Sequence, residues 1–479
     1  MTTTATALVW FRQDLRLADN PALHAAAASG ARVLPVFIDD VEMAEEWQPG
    51  PASRWWLQRS LAALNASLDG NLLQLRGNPA TLIPELARKL DVDCVYWNRC
   101  YEPWRIRNDH QTKERLLSDA VSVRTFNGSL LWDPSTIKKP DGTPYRVFTP
   151  FYRKGCLENG AQPRRPLPEP DRLRYVPLTG ELRQVTSREF TGFVPPDIDE
   201  SLWQPGERGA LATLDHFLES AVSAYDVQRD IPGVRGTSRL STHLHFGEIS
   251  PNQVWYAVRK RCTNGALSKD GDRFLSEIGW REFSHYLLYH NPELPSTNLQ
   301  RRFDRFPWGT NDALLGAWQR GDTGFPIIDA GMRELARTGY MHNRVRMVTA
   351  SFLVKNLLID WRQGERWFWE NLLDADLANN SASWQWVAGC GADAAPYFRI
   401  FNPVTQGKKF DPAGAYVRRF VPVLAELPDK YIQNPFDAPA DVLAQSGVRL
   451  GDNYPEPVVD LARSRQVALD AYRSTGAGA

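Results

Sequence analysis

Short apolar runs alternate with longer segments of helical periodicity along the first 130 residues. Apolar runs of strand length lie at 7–11, 33–38, 72–75, 94–97 and 121–126. Helical patterning lies between them, at 20–29, 52–68, 79–90 and 106–120, and Asn78 precedes Pro79 as the predicted cap of the third helix. Strands that alternate with helices predict a doubly wound parallel sheet.

The rest of the chain changes to a mainly helical pattern. The proline-rich stretch 162–170, with its surroundings, predicts a long linker. Helical patterning then recurs at 210–222, 251–262, 274–289, 311–320, 327–337, 343–358 and 364–373. The sequence therefore predicts an α/β domain at 1–133, an interdomain linker at 134–205 and an all-helical domain at 206–479.

Composition indicates where the protein works more clearly than what it does. The formal net charge of the 479 residues is zero and the pI is about 7.1, so overall charge does not favour a nucleic-acid partner, and any basic surface must be local. The five cysteines are sparse and unpaired in spacing, which indicates a reducing compartment. The sequence shows no signal peptide and no apolar run of membrane-spanning length, so we expect a cytoplasmic protein.

A doubly wound domain raises the question of a dinucleotide site. The first predicted strand runs into Phe11 and then Arg12-Gln13-Asp14, without the glycines of a G-x-G-x-x-G or GK[ST] loop. Without them the backbone cannot approach a pyrophosphate closely, which disfavours an NAD-type dehydrogenase or another nucleotide-dependent enzyme that uses this domain.

Three hydroxyls within five residues follow a glycine-containing turn and precede a predicted helix. The segment consists of Thr237, Ser238, Arg239, Leu240 and Ser241. Helix N-terminal N–H groups and hydroxyl donors suit an anion such as a phosphate. A capping cluster explains the same residues, so the segment alone leaves both interpretations open.

Glu277, Trp280 and Arg281 have the i, i+3, i+4 spacing that places side chains on one helix face. A carboxylate, an indole plane and a guanidinium on one face could recognise a base flipped out of a duplex. The alternative is an intrahelical Glu277–Arg281 pair beside a core tryptophan.

Polar residues between 346 and 380 offer a second candidate site. Arg346 could neutralise Asp374 in a buried pair, Asp376 could accept a hydrogen bond from a ligand, and Asn380 offers both a donor and an acceptor. The D-x-D spacing alone could suggest a cation, but the glycine and distal glutamate of an EF-hand loop are missing, so we predict no metal.

Seventeen tryptophans are unusual, and packing explains most of them. A few of these tryptophans could instead stack on planar ligands or carry electrons. Trp308, Trp361 and Trp384 lie in different segments, so spacing alone does not bring them together.

Together these segments resemble the photolyase/cryptochrome family over nearly the whole chain. The likeness rests on 8–20 (LVWFRQDLRLADN), 237–241 (TSRLS), 277–283 (EIGWREF), 339–347 (GYMHNRVRM) and 374–380 (DADLANN). Within the family the chain is most similar to class I cyclobutane pyrimidine dimer (CPD) DNA photolyases.

The resemblance implies a bound FAD that, reduced and excited by blue light, gives an electron to the lesion. By likeness to the family, the FAD contacts are Tyr225, Thr237, Ser238, Arg239, Leu240, Ser241, Arg281, Asn343, Arg346, Asp374, Asp376 and Asn380. Trp384, Trp361 and Trp308 resemble the family's electron-carrying chain, with Trp384 proximal to the flavin, Trp361 intermediate and Trp308 at the surface.

The resemblance also implies damaged DNA as the partner of a monomeric protein. The implied DNA contacts are Arg229, Glu277, Trp280, Asn343, Arg344, Met347, Trp384 and Lys409. Glu277 would hydrogen-bond the damaged base and Trp280 would stack on it. Solvated surface charges are the alternative for Arg229 and Lys409.

Family members hold an antenna pigment, a reduced folate or a deazaflavin, in the α/β domain. The segment 101–105 (YEPWR) departs from the Asn-Glu pair of many folate-binding members, so the sequence assigns no antenna residues. A reduced folate is favoured over a deazaflavin.

Two further distinctions follow from the resemblance. The (6-4) photolyases carry histidines at the positions of Asn343 and Met347, so we expect repair of cyclobutane dimers. Cryptochrome photoreceptors often replace the residue at the position of Asn380 and extend past the helical domain. Such a photoreceptor without repair activity is the alternative function.

Overall fold

A parallel β-sheet forms the first part of the chain in the computed structural model, which describes residues 5–178, 197–261, 268–393 and 398–476. The sheet has five strands in the order β3-β2-β1-β4-β5. The strands are β1 (Thr6–Phe11), β2 (Arg32–Asp39), β3 (Leu73–Arg76), β4 (Cys94–Asn98) and β5 (Ser122–Phe126). The predicted doubly wound fold is confirmed, and each strand lies within two residues of its predicted position.

Helices connect the strands, as the alternation predicted. They are Pro21–Ala28, Pro51–Ser67, Pro79–Lys89 and Pro103–Ser118. Asn78 caps the third, because its side-chain oxygen accepts a hydrogen bond from the Ala80 N–H at 2.9 Å. Leu8, Val36 and Val95 pack into one apolar core that Ile83 and Leu116 of the helices complete.

Helices dominate the later part of the chain. Their bounds are Glu207–Ser220, Tyr225–Gln228, Ser241–Phe246, Pro251–Arg261, Lys269–His290, Asp312–Arg320, Pro326–Thr338, Asn343–Ser351, Trp361–Asn371, Leu377–Ala388, Pro403–Phe410, Ala415–Phe420, Ala440–Gln445 and Leu461–Ser474. The helix predicted over 343–358 ends earlier, at Ser351, and continues as a π-helical turn over Phe352–Asn356. A second π-helical segment, Pro150–Glu158, lies in the predicted linker.

Much of the linker is held against the sheet region. Tyr175 forms a parallel bridge with Val33, and the Val33 N–H donates to the Arg174 carbonyl at 2.6 Å. Leu167 N–H donates to the buried Asp19 carboxylate at 2.8 Å. The stretches of the predicted linker around Leu167 and Tyr175 therefore pack on the α/β domain. Residues 179–196 of the predicted linker lie outside the described residues.

The compact units do not divide at residue 206. One unit comprises Met1–Pro196, Trp203–Ser223 and Ser238–Pro292, and the other comprises Asp197–Leu202, Ala224–Thr237 and Glu293–Ala479; we call them unit 1 and unit 2. A buried carboxylate explains part of this grouping. Glu248 accepts hydrogen bonds from Trp56 Nε1 at 3.0 Å and from the Gly206 N–H at 2.6 Å, which joins the first helices beyond the linker to unit 1.

Within the described ranges, no helix has the length and apolarity needed to cross a membrane. Cys94, Cys100, Cys156 and Cys390 are free thiols, and Cys262 lies outside the described residues. The cytoplasmic location and the monomeric state stay predictions.

Candidate functional site

Unit 2 contains the ion pair that the sequence suggested. Arg346 Nη2 lies 2.9 Å from Asp374 Oδ2, and Arg346 Nε donates to the Met341 carbonyl at 2.7 Å. Burial lowers the pKa of Arg346, but Asp374, together with Tyr340 and Glu334, more than offsets this, so the pKa of Arg346 is raised. The other carboxylate oxygen, Asp374 Oδ1, is buried and has no hydrogen-bond partner among the described residues. It is an acceptor positioned for a ligand donor.

Two further predicted flavin contacts begin the next helix, Leu377–Ala388. Asp376 is its N-cap, and its Oδ1 accepts from the Asn379 backbone N–H at 2.8 Å. Part of the Asp376 carboxylate therefore has a structural role that the sequence analysis did not assign. Asn380 is buried, and its Nδ2 donates to the Glu365 carbonyl at 2.9 Å. Its amide oxygen remains an acceptor for a ligand N–H.

Glu365 is a residue that the sequence analysis missed. Its side chain is fully buried and accepts a hydrogen bond from Ser381 Oγ, next to Asn380. Burial raises the pKa of this carboxyl well above its ordinary value, with Ser381 and nearby arginines only partly opposing the effect. Glu365 therefore favours the neutral, protonated form beside the predicted flavin-facing amide.

The segments that carry the three predicted electron-carrying tryptophans contact one another within unit 2. Trp384 lies against Gly364, where a side-chain Cβ would come within 2.1 Å of the indole, so only glycine allows this approach. Trp361 begins the helix that contains Gly364 and donates from Nε1 to Asn298 Oδ1 at 3.0 Å. Next to Trp308, the Gly309 N–H donates to the Leu358 carbonyl at 2.7 Å.

These tryptophans differ in burial, while their order along the electron-carrying chain stays a prediction. Trp361 and Trp384 are buried, whereas Trp308 is partly exposed. Trp384 also meets Phe368 edge-on at 5.0 Å between ring centroids. The structure thus brings together three segments that sequence spacing could not connect.

A shared carboxylate organises two of the predicted DNA-contacting arginines. Arg344 pairs with Asp230 at 2.8 Å, and Arg229 Nε lies 3.8 Å from the same carboxylate. The Arg229 side chain is only 10% exposed and its guanidinium lies 5.4 Å from the Tyr225 ring centroid. Arg229 is therefore not the freely solvated surface charge that the alternative interpretation described. Asp230 is a second residue that the sequence analysis left without a role.

Lys409 and Arg344 lie on one aromatic ring. The Lys409 ammonium is 5.0 Å and the Arg344 guanidinium 4.6 Å from the centroid of Phe410. Lys409 is exposed, and Arg344 is partly exposed. We call Arg229, Asp230, Arg344, Lys409 and Phe410 the basic cluster. Its exposed cations could contact a phosphate backbone.

Asn343 and Met347 share the helix Asn343–Ser351 at the predicted four-residue spacing. Asn343 is exposed and Met347 partly exposed. His342 is the N-cap of this helix. His342 Nδ1 accepts a hydrogen bond from the Arg344 N–H at 3.2 Å, which gives the imidazole a structural role.

The hydroxyl-rich segment precedes a short helix, Ser241–Phe246. The residue before that helix is Leu240, and no described side chain caps its first turn. In unit 1, Ser238 Oγ lies 3.4 Å from the Leu240 N–H, and Arg239 adopts a left-handed φ of 54°. The capping interpretation therefore loses support, while phosphate binding stays a prediction.

In unit 1, Glu277, Trp280 and Arg281 lie on the helix Lys269–His290. Glu277 lies 3.9 Å from Arg273, whereas Arg281 Nη1 donates to the Ser129 carbonyl at 2.9 Å and approaches Glu282 at 3.4 Å. Burial raises the pKa of Glu282 to about 7, with Arg281 opposing the effect. Trp280 is partly exposed and can receive a planar ligand.

The sheet carries another polar cluster, at the carboxyl ends of β1 and β4. The strand order reverses between these neighbouring strands, which is where open α/β sheets bind ligands. Gln13 donates to Glu102 Oε1 at 2.7 Å, and Arg105 donates to the same oxygen at 3.1 Å. Glu102 Oε2 and Trp104 Nε1 are buried and find no hydrogen-bond partner among the described residues.

The comparisons with known proteins agree with this geometry. The family model described as DNA photolyase matches residues 7–171, and the one described as FAD binding domain of DNA photolyase matches residues 274–474. A deoxyribodipyrimidine photo-lyase of Agrobacterium fabrum is 47% identical over 98% of this chain and 98% of the relative. Cryptochrome-2 of Arabidopsis thaliana is 38% identical over 98% of this chain and 79% of the relative.

Solved structures are similar over almost the full length. The crystal structure of a bacterial class III photolyase from Agrobacterium tumefaciens has a TM-score of 0.92 and 46% identity, covering 99% of this chain and 98% of that one. Because this similar protein is a class III photolyase, the class I assignment stays a prediction. The α/β sheet, the helical FAD-binding domain and these similarities together show that the chain belongs to the photolyase/cryptochrome family of flavoproteins.

Proposed function

We propose that this protein is a light-dependent DNA photolyase that repairs cyclobutane pyrimidine dimers with FAD as its cofactor. The proposal draws on the family membership and on the separate groups of residues described above. The observation that carries the choice of lesion is the pair Asn343 and Met347, four residues apart on one helix.

The residues of unit 2 fit a flavin by their chemistry. Asp374 Oδ1 is a buried acceptor that needs a donor, and the amide oxygen of Asn380 can accept from the ring N–H of a reduced flavin. Arg346 pairs with the other oxygen of the Asp374 carboxylate at 2.9 Å and so orients it. When bound and excited by blue light, reduced FAD supplies the electron that splits the cyclobutane ring. Tyr225, Arg281, Asn343, Asp376 and the 237–241 segment complete the proposed set.

The remaining predicted residues bind and hold the DNA. Lys409 and Arg344 of the basic cluster contact phosphates, which gives affinity without sequence preference. Trp280 stacks on the extruded base, and the Glu277 carboxyl hydrogen-bonds it. A damaged dinucleotide stacks poorly in the duplex, so it is the one that is extruded at least cost.

The pair Asn343 and Met347 favours cyclobutane dimers over (6-4) photoproducts. Reversal of a (6-4) photoproduct moves a hydroxyl between bases and needs a proton donor at the lesion. An amide and a thioether cannot serve as acids near neutral pH. The neighbouring His342 is buried, and its Nδ1 accepts from the Arg344 N–H at the start of the helix.

Repair of defined oligonucleotides tests the proposal. We expect the reduced, illuminated protein to restore a duplex that contains one thymine cyclobutane dimer and to leave a matched (6-4) duplex unchanged, as followed by chromatography of the strands. Efficient repair of the (6-4) duplex would contradict the lesion assignment. The absorption spectrum of cofactors released by denaturation identifies the flavin independently.

A photoreceptor without repair activity is the second candidate, because plant cryptochromes are similar over most of this chain. Asn380 favours the photolyase, since cryptochromes often replace the residue at that position. Light-driven flavin chemistry without loss of dimers in the same assay would support the photoreceptor.

We also propose the polar cluster at the ends of β1 and β4 as the antenna site. The free Glu102 oxygen is an acceptor for the amino and ring N–H groups of a pterin, which agrees with the predicted reduced folate. The spectrum of released cofactors distinguishes a folate from a deazaflavin.

A further inference from the structure

Trp280 is already stacked on one side by a residue 132 positions earlier in unit 1. The ring centroids of Phe148 and Trp280 are 3.8 Å apart and their planes differ by 11°. Phe148 in turn lies nearly parallel to Tyr152, at 5.5 Å and 10°. We call Trp280, Phe148 and Tyr152 the aromatic column.

The surroundings hold the column in one orientation. Phe148 and Tyr152 are buried, whereas Trp280 is partly exposed, so the indole is the ring of the column that a ligand can reach. Phe283 packs edge-on against the side of the column, with its ring centroid 6.0 Å from those of both Phe148 and Trp280. A Cβ at Gly279, beside Trp280, would lie 2.6 Å from the Tyr152 ring, so the column depends on glycine there.

A flat ring at 3.8 Å has two consequences for ligand binding. It occupies one face of the indole, so that only the opposite face can accept a base. It also fixes the plane of the indole before a ligand arrives, which lowers the ordering cost of binding. Stacked aromatic pairs contribute beyond the apolar area they bury, and a ligand ring would extend the column by one more stacked ring.

We infer that Phe148 is a positioning residue for lesion recognition, which fixes Trp280 so that the indole face opposite Phe148 stacks on one base of the pyrimidine dimer. The inference rests on the proposed function. It assigns a role to a segment, 147–152, that the sequence analysis treated only as linker. The role is in lesion binding, and the electron transfer that follows does not depend on it.

The test compares two ring-removing variants with a matched control. Phe148→Leu and Phe148→Met keep the apolar character without the flat ring, and Phe148→Tyr keeps the ring. Phe151→Leu is the control, because Phe151 is buried in the same segment and contacts Phe283 and Tyr286. Near-ultraviolet circular dichroism reports whether each variant is folded and whether the stacked rings have changed.

Binding is measured to a duplex that contains one thymine cyclobutane dimer and to the same duplex undamaged. For Phe148→Leu we expect roughly 3- to 10-fold weaker binding of the dimer duplex, the range that corresponds to ordering one mobile side chain on binding. Binding of the undamaged duplex should stay as in the original protein. Phe148→Tyr should restore dimer affinity.

The alternatives are distinguishable. If the original protein shows no preference for the dimer, the proposed function fails and Phe148 is not at issue. If that preference exists and folded Phe148→Leu or Phe148→Met retains it, the inference is wrong. Tighter dimer binding by either variant, or an equal loss in Phe151→Leu, also overturns it.

Discussion

At the residue scale, the buried carboxyl group of Glu365 in unit 2 has a protonation behaviour that the sequence pattern did not indicate. Glu365 is fully buried, bonds to Ser381 and supports Asn380 through its own carbonyl. A carboxyl group in that position is neutral in the folded protein over a pH range in which it is ionised in the unfolded chain. Its protonation is therefore linked to folding.

The first residue-scale prediction is a pH-dependent effect of Glu365→Gln. Because the folded-state pKa of Glu365 is raised, its contribution to stability is complete below its ordinary pKa and is lost as the pH rises towards the folded-state pKa. Glutamine mimics the protonated acid at every pH. Relative to the original protein, Glu365→Gln should therefore gain stability progressively as the pH rises above the ordinary glutamate pKa, and the two proteins should differ least at acid pH.

Urea unfolding of the full chain at several pH values measures this difference. Glu370→Gln is the matched control, since Glu370 is exposed on the same helix. A Glu365→Gln difference that is flat with pH, like that of the control, would mean that Glu365 is ionised in the folded protein.

At the residue scale, the sequence predicted the pairing of two charged residues inside one recognised stretch, but not contacts between distant parts of the chain. The Arg346–Asp374 pair was predicted, because two complementary charges occurred within a recognisable stretch. The Phe148–Trp280 stack was not, because nothing in local spacing relates an aromatic residue of the linker to a distant helix. Asp230 was overlooked beside Arg229, although an acidic neighbour is a local signal of a paired cation.

At the scale of elements, the helices of unit 2 begin and end for reasons partly visible in the sequence. The helix predicted over 364–373 begins earlier, at Trp361, because Asp360 caps it by accepting from the Arg362 N–H at 3.0 Å. An aspartate before an apolar helix is a readable signal. The π-helical turn at Phe352–Asn356 has no such signal, since helical periodicity runs through it. The helix carries Trp361 and Gly364, and Leu353 of the π-helical turn lies close to Gly364.

The element-scale prediction concerns Trp361, which connects the helix of Gly364 with the segment near Trp308. Trp361→Phe keeps an aromatic ring but removes the easily oxidised indole and its bond to Asn298. Photoreduction of oxidised flavin by an external donor should be blocked. Protein that is reduced chemically beforehand should still repair dimers, because the predicted tryptophan chain passes electrons to the flavin and not to the lesion.

Absorbance of the flavin under illumination measures the photoreduction, and strand chromatography measures the repair. Trp369→Phe is the control, as Trp369 is buried on the same helix and is not assigned to the chain. Unchanged photoreduction in Trp361→Phe would mean that electrons reach the flavin by another route.

For the whole molecule, charge placement matters more than total charge. The formal net charge is zero, yet exposed Lys409 and partly exposed Arg344 lie on one ring in unit 2. The sequence predicted the parallel sheet and the helical domain because hydrophobic periodicity reports element type directly. It placed the domain boundary at 206 because periodicity cannot report buried contacts such as those of Glu248.

The prediction at this scale is that Lys409→Ala weakens binding of damaged and undamaged duplex alike. Removal of one phosphate contact should lower the slope of log affinity against log salt by about one. Arg344→Ala should lower it less, because Asp230 already offsets part of that charge at 2.8 Å. Arg229, nearly covered and beside the same carboxylate, should also contribute less than Lys409.

Lys430→Ala supplies the control, since Lys430 is likewise exposed and its ammonium lies 4.9 Å from the Tyr431 ring centroid. The two lysines differ in position but match in charge, exposure and aromatic neighbour. If Lys430→Ala lowers the slope as much as Lys409→Ala, binding follows overall positive charge. If only Lys409→Ala lowers it, a neutral protein binds a polyanion through a local basic cluster, because counterion release depends on the cations that touch phosphate and not on those elsewhere.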